Sequence, residues 1–328
     1  RRAFELGASL ENPINLSIGQ PHYSVPEEMK EAAIAAIRED RHGYSVTQGI
    51  NELNEVIRKY LQTIGWIGKR HLGTRFVRDL VKYQYLTKDE LETIDQSIIY
   101  LWTLRYALHM ISNRAEDRLL FDYQRTLARY FGYEDNDQQL AVEQFMHKYY
   151  RVTIHLYELN QMLLQNFDRS ILRSHLPVTV TTVNRRFEIR NHMVEVRHKE
   201  VFQHYPYALI EAYVVMVQHP DSLGIGANTQ RLIRRHCNLI DAKCRTDIRA
   251  NSLFMELLRS PTRMSTGLIH MKRHGVLGNY IPSFGRIIGQ MQHDLFHIYT
   301  VDAHTLKVIQ KMRQLRYTDE QEKFPIAA

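Results

Sequence analysis

Three histidines, His293, His297 and His304, stand four and seven residues apart in this 328-residue chain. On one unbroken helix that spacing places all three on a single face, with Asp294 and Asp302 nearby, a donor set suited to a divalent metal. Thr300 and Asp302 carry helix-start chemistry, however, and a new helix beginning there breaks the shared face. With 17 histidines in the chain, clustering by chance is the competing reading. Asp135-Asn136-Asp137 offers paired carboxylates of the kind that hold Mg²⁺ in nucleotide transfer. The plainer reading is a helix cap on Asp137. No Gly-Ser pair occurs anywhere in the sequence, so the phosphate-cradling turn that goes with such carboxylates is missing. Gly19 would let a backbone approach a ligand closely, and Tyr44 would offer a phenol beside a Gly-defined turn; two ordinary turns and a packed ring read equally well. Arg118 and Asp122, four apart in an alternating-charge segment, predict an ion pair along a helix.

The elements that must position these groups read mainly as helices. Apolar residues recur at three- and four-residue spacing over 26–40 and 51–61, then over Lys88–Ser112 with Leu91, Ile94, Ile98, Leu101, Trp102, Arg105 and Leu108 on one face. Further helices are predicted over Asp117–Phe131, Asp137–Arg173, 206–218, 227–237, 246–259, 262–274 and 301–316. Around 178–197 the period falls to two, interrupted at Asn191-His192, which predicts one small β-hairpin near 186–197. The fold class expected is therefore mainly α: a helical bundle with one hairpin, preceded by a short α/β fragment.

Composition narrows the function. No run of 18 apolar residues exists, so no membrane helix is expected. Two cysteines, Cys237 and Cys244, seven apart, exclude a disulfide scaffold and fit neither a CxxC pair nor a zinc knuckle, which points to a reducing, cytoplasmic setting. The net charge of +7 is uneven: residues 1–61 hold 7 Lys/Arg and 9 Asp/Glu, and 62–328 hold the other 36 and 27. The basic charges are interleaved with acids rather than run together, which argues for a solvated surface and against nucleic acid. The chain opens on arginine, carries no signal-peptide pattern, and has no linker near 61. These features lead us to expect a fragment, or a chimera joined near Leu61-Gln62.

Asn15-Leu16-Ser17-Ile18-Gly19-Gln20-Pro21, Lys30-Glu31-Ala32-Ala33 and Gly43-Tyr44 with Thr47-Gln48-Gly49-Ile50 resemble the N-terminal segment of class-I pyridoxal-phosphate aminotransferases. This resemblance covers residues 1–61. It implies that Gly19 lies near the substrate carboxylate and that Tyr44 reaches the cofactor phosphate of a neighbouring subunit. His22 departs from the Asp usual there, and no Ser is followed three positions later by Lys, the context in which that family holds its cofactor. Pyridoxal phosphate thus enters only by this N-terminal likeness.

A longer set of motifs covers 62–328. It includes Gly65-Trp66-Ile67, Leu101-Trp102, Glu116-Asp117-Arg118-Leu119-Leu120-Phe121-Asp122-Tyr123-Gln124, Lys148-Tyr149-Tyr150, Phe254-Met255-Glu256-Leu257-Leu258, Gly275-Val276-Leu277-Gly278-Asn279-Tyr280 and the run from Gly285 to Leu306. Together they resemble the bifunctional PII uridylyltransferase/uridylyl-removing enzymes of bacterial nitrogen control. The resemblance implies three stretches: 1–61, a central helical domain at 62–299, and at 300–328 the start of an HD-type phosphohydrolase domain. It implies that His304 is the first metal ligand of that last domain, with the rest of the ligand set beyond this chain and His293-Asp294 outside it. A family member transfers UMP from UTP to the PII signal protein and removes it again, using Mg²⁺ or another divalent ion and answering to glutamine. For this chain the expectation is no catalytic residue, no tight metal site, no bound cofactor and no turnover alone.

Overall fold

The computed structural model describes residues 67–74, 76–137, 139–172, 175, 177–291 and 299–315. All of them belong to one of the two units into which the chain divides, Val46–Ala328. Gly19 and Tyr44 lie outside the described residues, as do His293 and His297.

A short helix over 67–72 and a 3₁₀ turn at Val77–Val81 lead into α1, Lys88–Ser112. Its start is fixed by a reciprocal cap. Glu90 N–H donates to Thr87 Oγ1 at 3.2 Å and Thr87 N–H donates to the Glu90 carboxylate at 2.9 Å. It stops where Asn113 turns left-handed at φ 51°. The buried residues of α1 are Ile94, Ser97, Leu104, Ala107 and Leu108. Trp102 departs from the predicted apolar face and is exposed.

α2, Phe121–Tyr130, and α3, Ala141–Phe167, pack with α1 around Phe145, Met146 and Tyr149, all fully buried. Both helices start later than predicted. Before α2, the Glu116 carboxylate accepts the Arg118 N–H at 3.0 Å and holds the segment extended. Before α3, Asp135 rather than Asp137 does the capping: its Oδ1 accepts from Ala141 N–H at 2.7 Å. The end of α3 runs into a π-helical turn, Asp168–Leu172.

A four-stranded sheet follows, where one hairpin was expected. β1 (Val180–Thr182), β2 (Phe187–Arg190) and β3 (Met193–Val196) are antiparallel neighbours, and β4 (Gly224–Ile225) pairs with β3 in parallel. The β2–β3 turn is the predicted Asn191-His192, both at positive φ (48° and 62°), as a two-residue hairpin turn requires.

The remaining helices are α4 (Val201–His204), α5 (Ala208–Gln218), α6 (Ala227–His236), α7 (Ala242–Thr246), α8 (Ile248–Arg259), α9 (Met264–Arg273), α10 (Val276–Tyr280), α11 (Pro282–Ile287) and α12 (Val301–Gln314). α5 is the axis of this half. Every residue from Ala208 to Val217 is buried, packed by α8, α9 and the sheet. Each large aliphatic side chain so removed from water contributes about 1.5–3 kcal/mol. Its one acid, Glu211, is satisfied by Arg186 in a bidentate pair at 2.6 and 2.7 Å and by Asn184 at 3.0 Å.

Candidate functional site

The polar groups that converge most deeply sit where α3, α5, α6, α9 and α12 meet. Glu158 lies within an apolar stretch of α3 and is buried. One carboxylate oxygen takes a hydrogen bond from Arg234 of α6 at 3.1 Å; Oε1 has no partner among the described residues. Burial pushes its carboxyl up to about 7, partly offset by the charges of Arg234, Arg273 and Lys272.

Deeper in, Tyr213 of α5 and His274 are 2.9 Å apart. Burial drives the phenol pKa up and the imidazole down to about 3, so both are neutral and share one hydrogen bond. His270, one turn earlier on α9, is likewise held neutral, at about 4. Cys237 donates to the His274 carbonyl at 3.4 Å, and burial raises its thiol to about 12. A thiol held protonated is not a nucleophile. Cys237 and Cys244 are both free. The cluster therefore fastens helices together and holds no activated attacking group; Glu158 alone has its pKa brought to neutrality.

Beside it, Asp302 in the first turn of α12 is fully buried. It receives Lys272 Nζ at 2.7 Å and the Gly289 N–H at 3.0 Å. His304 follows two residues later on the exposed side of α12. A metal centre at His304 is not fitted by the described residues. Asp302, two residues before it in sequence, is engaged by Lys272 and Gly289, and no three His, Cys, Asp or Glu side chains converge as a ligand set among the described residues. The Asp135–Asp137 pair is divided as well, since Asp135 caps α3.

The predicted Arg118–Asp122 pair is replaced. Arg118 instead meets Glu116 at 2.8 and 2.9 Å, and Arg114 meets the same carboxylate at 2.6 Å. These bonds, Arg118 first, hold the Glu116 carboxyl down to about 2. The shorter sequence separation wins because Glu116 lies in extended chain before the helix, where an i, i+2 pair shares one side.

A second polar hub was not foreseen. Glu195 of β3 is buried, with Thr229 Oγ1 at 2.5 Å and Arg169 Nη1 at 3.0 Å. It lies against Gly226, at a cavity of about 240 Å³ also lined by Arg190, His192 and Met193. A Cβ on Gly226 would fall 2.1 Å from Glu195 Oε1. A lone acid at alternate position in a strand was the one visible signal; its partners come from α6 and the π turn, 34 and 26 residues away in sequence.

Two family models match this chain: the GlnD PII-uridylyltransferase model over residues 57–164 and the model of the third domain of uridylyltransferase GlnD over 187–280. Over these residues the chain belongs to the GlnD uridylyltransferase family. The GlnD matches divide the fold between α1–α3 and the half that runs from β2 to α10. Their junction is closed by Arg231, whose guanidinium meets Glu90 at 2.9 and 3.0 Å and the Tyr85 carbonyl at 2.5 Å, and by Arg234 on Glu158.

Curated relatives agree. The bifunctional uridylyltransferase/uridylyl-removing enzyme of Pseudomonas aeruginosa (strain LESB58) is 50% identical over 268 residues, 82% of this chain and 30% of that protein. Those of Pseudomonas syringae pv. syringae (strain B728a) and Pseudomonas entomophila (strain L48) are 47% and 46% identical over the same length. The chain thus spans about 30% of the length of the GlnD relatives it matches. No solved structure matches. Neither family model reaches back past residue 57, so the aminotransferase-like segment with Gly19 and Tyr44 gains no support from them. No helix among the described residues is long and apolar enough to cross a membrane.

Proposed function

We propose that this chain is the helical scaffold of a PII uridylyltransferase/uridylyl-removing enzyme and carries neither reaction by itself. The carrying observation is 50% identity over 268 residues to a bifunctional enzyme of which they form only 30%. On this reading residues 62–299 are the central helical domain and 300–328 open the HD-type domain. UMP transfer from UTP to PII, its removal, the divalent ion and the response to glutamine belong to the longer protein. His304 would serve as a ligand only with residues from that remainder. The setting is cytoplasmic.

The packing supports a scaffold. Among the described residues the deepest polar groups are mostly turned inward on one another as ion pairs and neutral hydrogen bonds, which fixes helices. No observation favours amino-group transfer by residues 1–61.

The test is an exchange. Residues 62–328 replace the matching stretch of the Pseudomonas aeruginosa enzyme, and both UMP transfer to PII and its removal are measured. Both activities are expected to persist. Loss of both in a folded chimera overturns the family-level reading. The chain alone, given PII, UTP and Mg²⁺, is expected to show no incorporation; turnover there overturns the scaffold reading.

A further inference from the structure

Four consecutive residues, Ile288 to Met291, are shared between two helices far apart in sequence, α3 and α12. The Ile288 carbonyl lies 2.9 Å from His147 Nε2 of α3. A carbonyl only accepts, so the imidazole donates there. Gly289 N–H turns the other way and donates to Asp302 of α12 at 3.0 Å. The Gln290 carbonyl accepts from the N–H of Val301, the first residue of α12, at 2.8 Å. Met291 turns back to α3. Its side chain is buried in the core that holds Phe145 and Tyr149, and its sulfur accepts from the Tyr150 hydroxyl at 3.7 Å.

The middle of this segment is built for close approach. Gly289 has φ 76°, the left-handed region that glycine adopts freely. A Cβ there would stand 3.4 Å from Arg151 and 3.5 Å from His147 and Tyr150, so its free side already faces α3 at contact distance. At the other end, the wholly buried Asp302 also takes Lys272 Nζ at 2.7 Å. A carboxylate with no exposure cannot exchange a donor for water, which makes loss of either bond costly. One turn later Leu306 joins the core around α5. α12 is thus seated directly on the second half of the fold and reaches the first half through residues 288–291.

We propose that residues 288–291 are a strap that sets the start of α12 against α3, and that His147 acts through it as a positioning residue for UMP removal in the longer enzyme. This rests on the reading above, that 300–328 open the domain where removal takes place. α1, α2 and most of α3 fall in the stretch matched over 57–164, and α12 falls past the one matched over 187–280. The strap ties these separate stretches mechanically, so a donor on α3 fixes where the chain enters the following domain.

Residue-resolved amide exchange of the full chain tests the strap. His147→Ala removes the donor to Ile288 and leaves Lys272 and Asp302 in place. It should speed exchange at the Gly289 and Val301 amides by about tenfold, while amides inside α5 keep their rates. Lys272→Met, working from the other end, should speed the same two amides. Unchanged exchange at Gly289 and Val301 in His147→Ala overturns the strap, and so does an equal rise in α5, which reports general loosening instead. The positioning role is tested in the exchanged Pseudomonas aeruginosa enzyme described above. There His147→Ala should lower kcat for UMP removal by about tenfold and leave UMP transfer within about twofold. His147→Gln, whose amide can donate to the same carbonyl, should retain both. Equal loss of both activities, undiminished removal, or failure of His147→Gln to retain removal overturns the role. An exchanged parent enzyme without either activity overturns the family-level reading instead, and amide exchange still decides the strap.

Discussion

Asp302 and Lys272 form an ion pair 2.7 Å long whose carboxylate is wholly buried. It joins the first turn of α12 to the last turn of α9, and Gly289 N–H adds a second donor from the loop between α11 and α12. Breaking one side of a buried pair leaves the other charge without compensation, at about 3–5 kcal/mol. The two sides are not equal, because Lys272 keeps some exposure while Asp302 keeps none. Lys272→Met should therefore destabilise more than Asp302→Asn, which retains an acceptor for Gly289. Urea unfolding at neutral pH checks both points; equal costs would refute the order, and costs under about 0.5 kcal/mol would show that the pair contributes no fastening.

Glu158 gives the fold a pH dependence of defined sign. Its folded pKa, about 7, lies above the ordinary 4.5 because burial outweighs Arg234, Lys272 and Arg273. Between those values the folded state holds more protons than the unfolded chain, so this group's contribution declines as pH rises from about 4.5 to about 7 and is flat above. Glu158→Gln removes that slope. The stability of the variant relative to the parent should climb across the interval by up to about 3 kcal/mol. A difference that stays constant with pH would sink the assignment.

His274 and His270 act in the opposite direction. Their folded pKa values, about 3 and about 4, lie below the ordinary 6.5, first through burial and then through neighbouring cationic groups. The unfolded chain therefore takes up protons that the folded one refuses. Stability is complete above about 6.5 and is lost as pH falls towards 4. His274→Gln should flatten part of that acid limb, measured by thermal melts from pH 4 to 7; an unaltered limb would refute a buried neutral imidazole.

Much of this architecture is legible in local pattern, and the failures share one cause. Lys88–Ser112 is read to the residue because Thr87 and Glu90 cap it and Asn113 ends it within the same stretch of chain. The Asn191-His192 turn is likewise a two-residue signal. β4 was invisible, since Gly224 and Ile225 become a strand only by pairing with Met193 and Val194, thirty-one residues back. Trp102 misled because periodicity reports an apolar row without saying which of two adjoining rows faces the core. Among candidate site residues, His304 is singled out by its spacing from His293 and His297 and by likeness to a family. Glu158 and Glu195 were missed, and Asp302 was read as a helix start or metal donor and not as a buried ion pair, because their partners lie 76, 34 and 30 residues away.

Gly226 offers the most direct probe of the Glu195 hub. Its backbone is extended, at φ −68° and ψ 149°, a region open to any residue, so alanine brings no dihedral strain. The cost is purely steric: the added methyl would sit 2.1 Å from Glu195 Oε1. The carboxylate must then leave Thr229 and Arg169, its bonds at 2.5 and 3.0 Å. Overpacking of this kind costs about 1–3 kcal/mol. Gly226→Ala should therefore destabilise the fold, and Glu195→Ala in the same chain should recover part of the loss by clearing the collision, despite the bonds it forfeits. If the double variant is less stable than Gly226→Ala by the full cost of Glu195→Ala alone, the two residues do not meet as the structure places them.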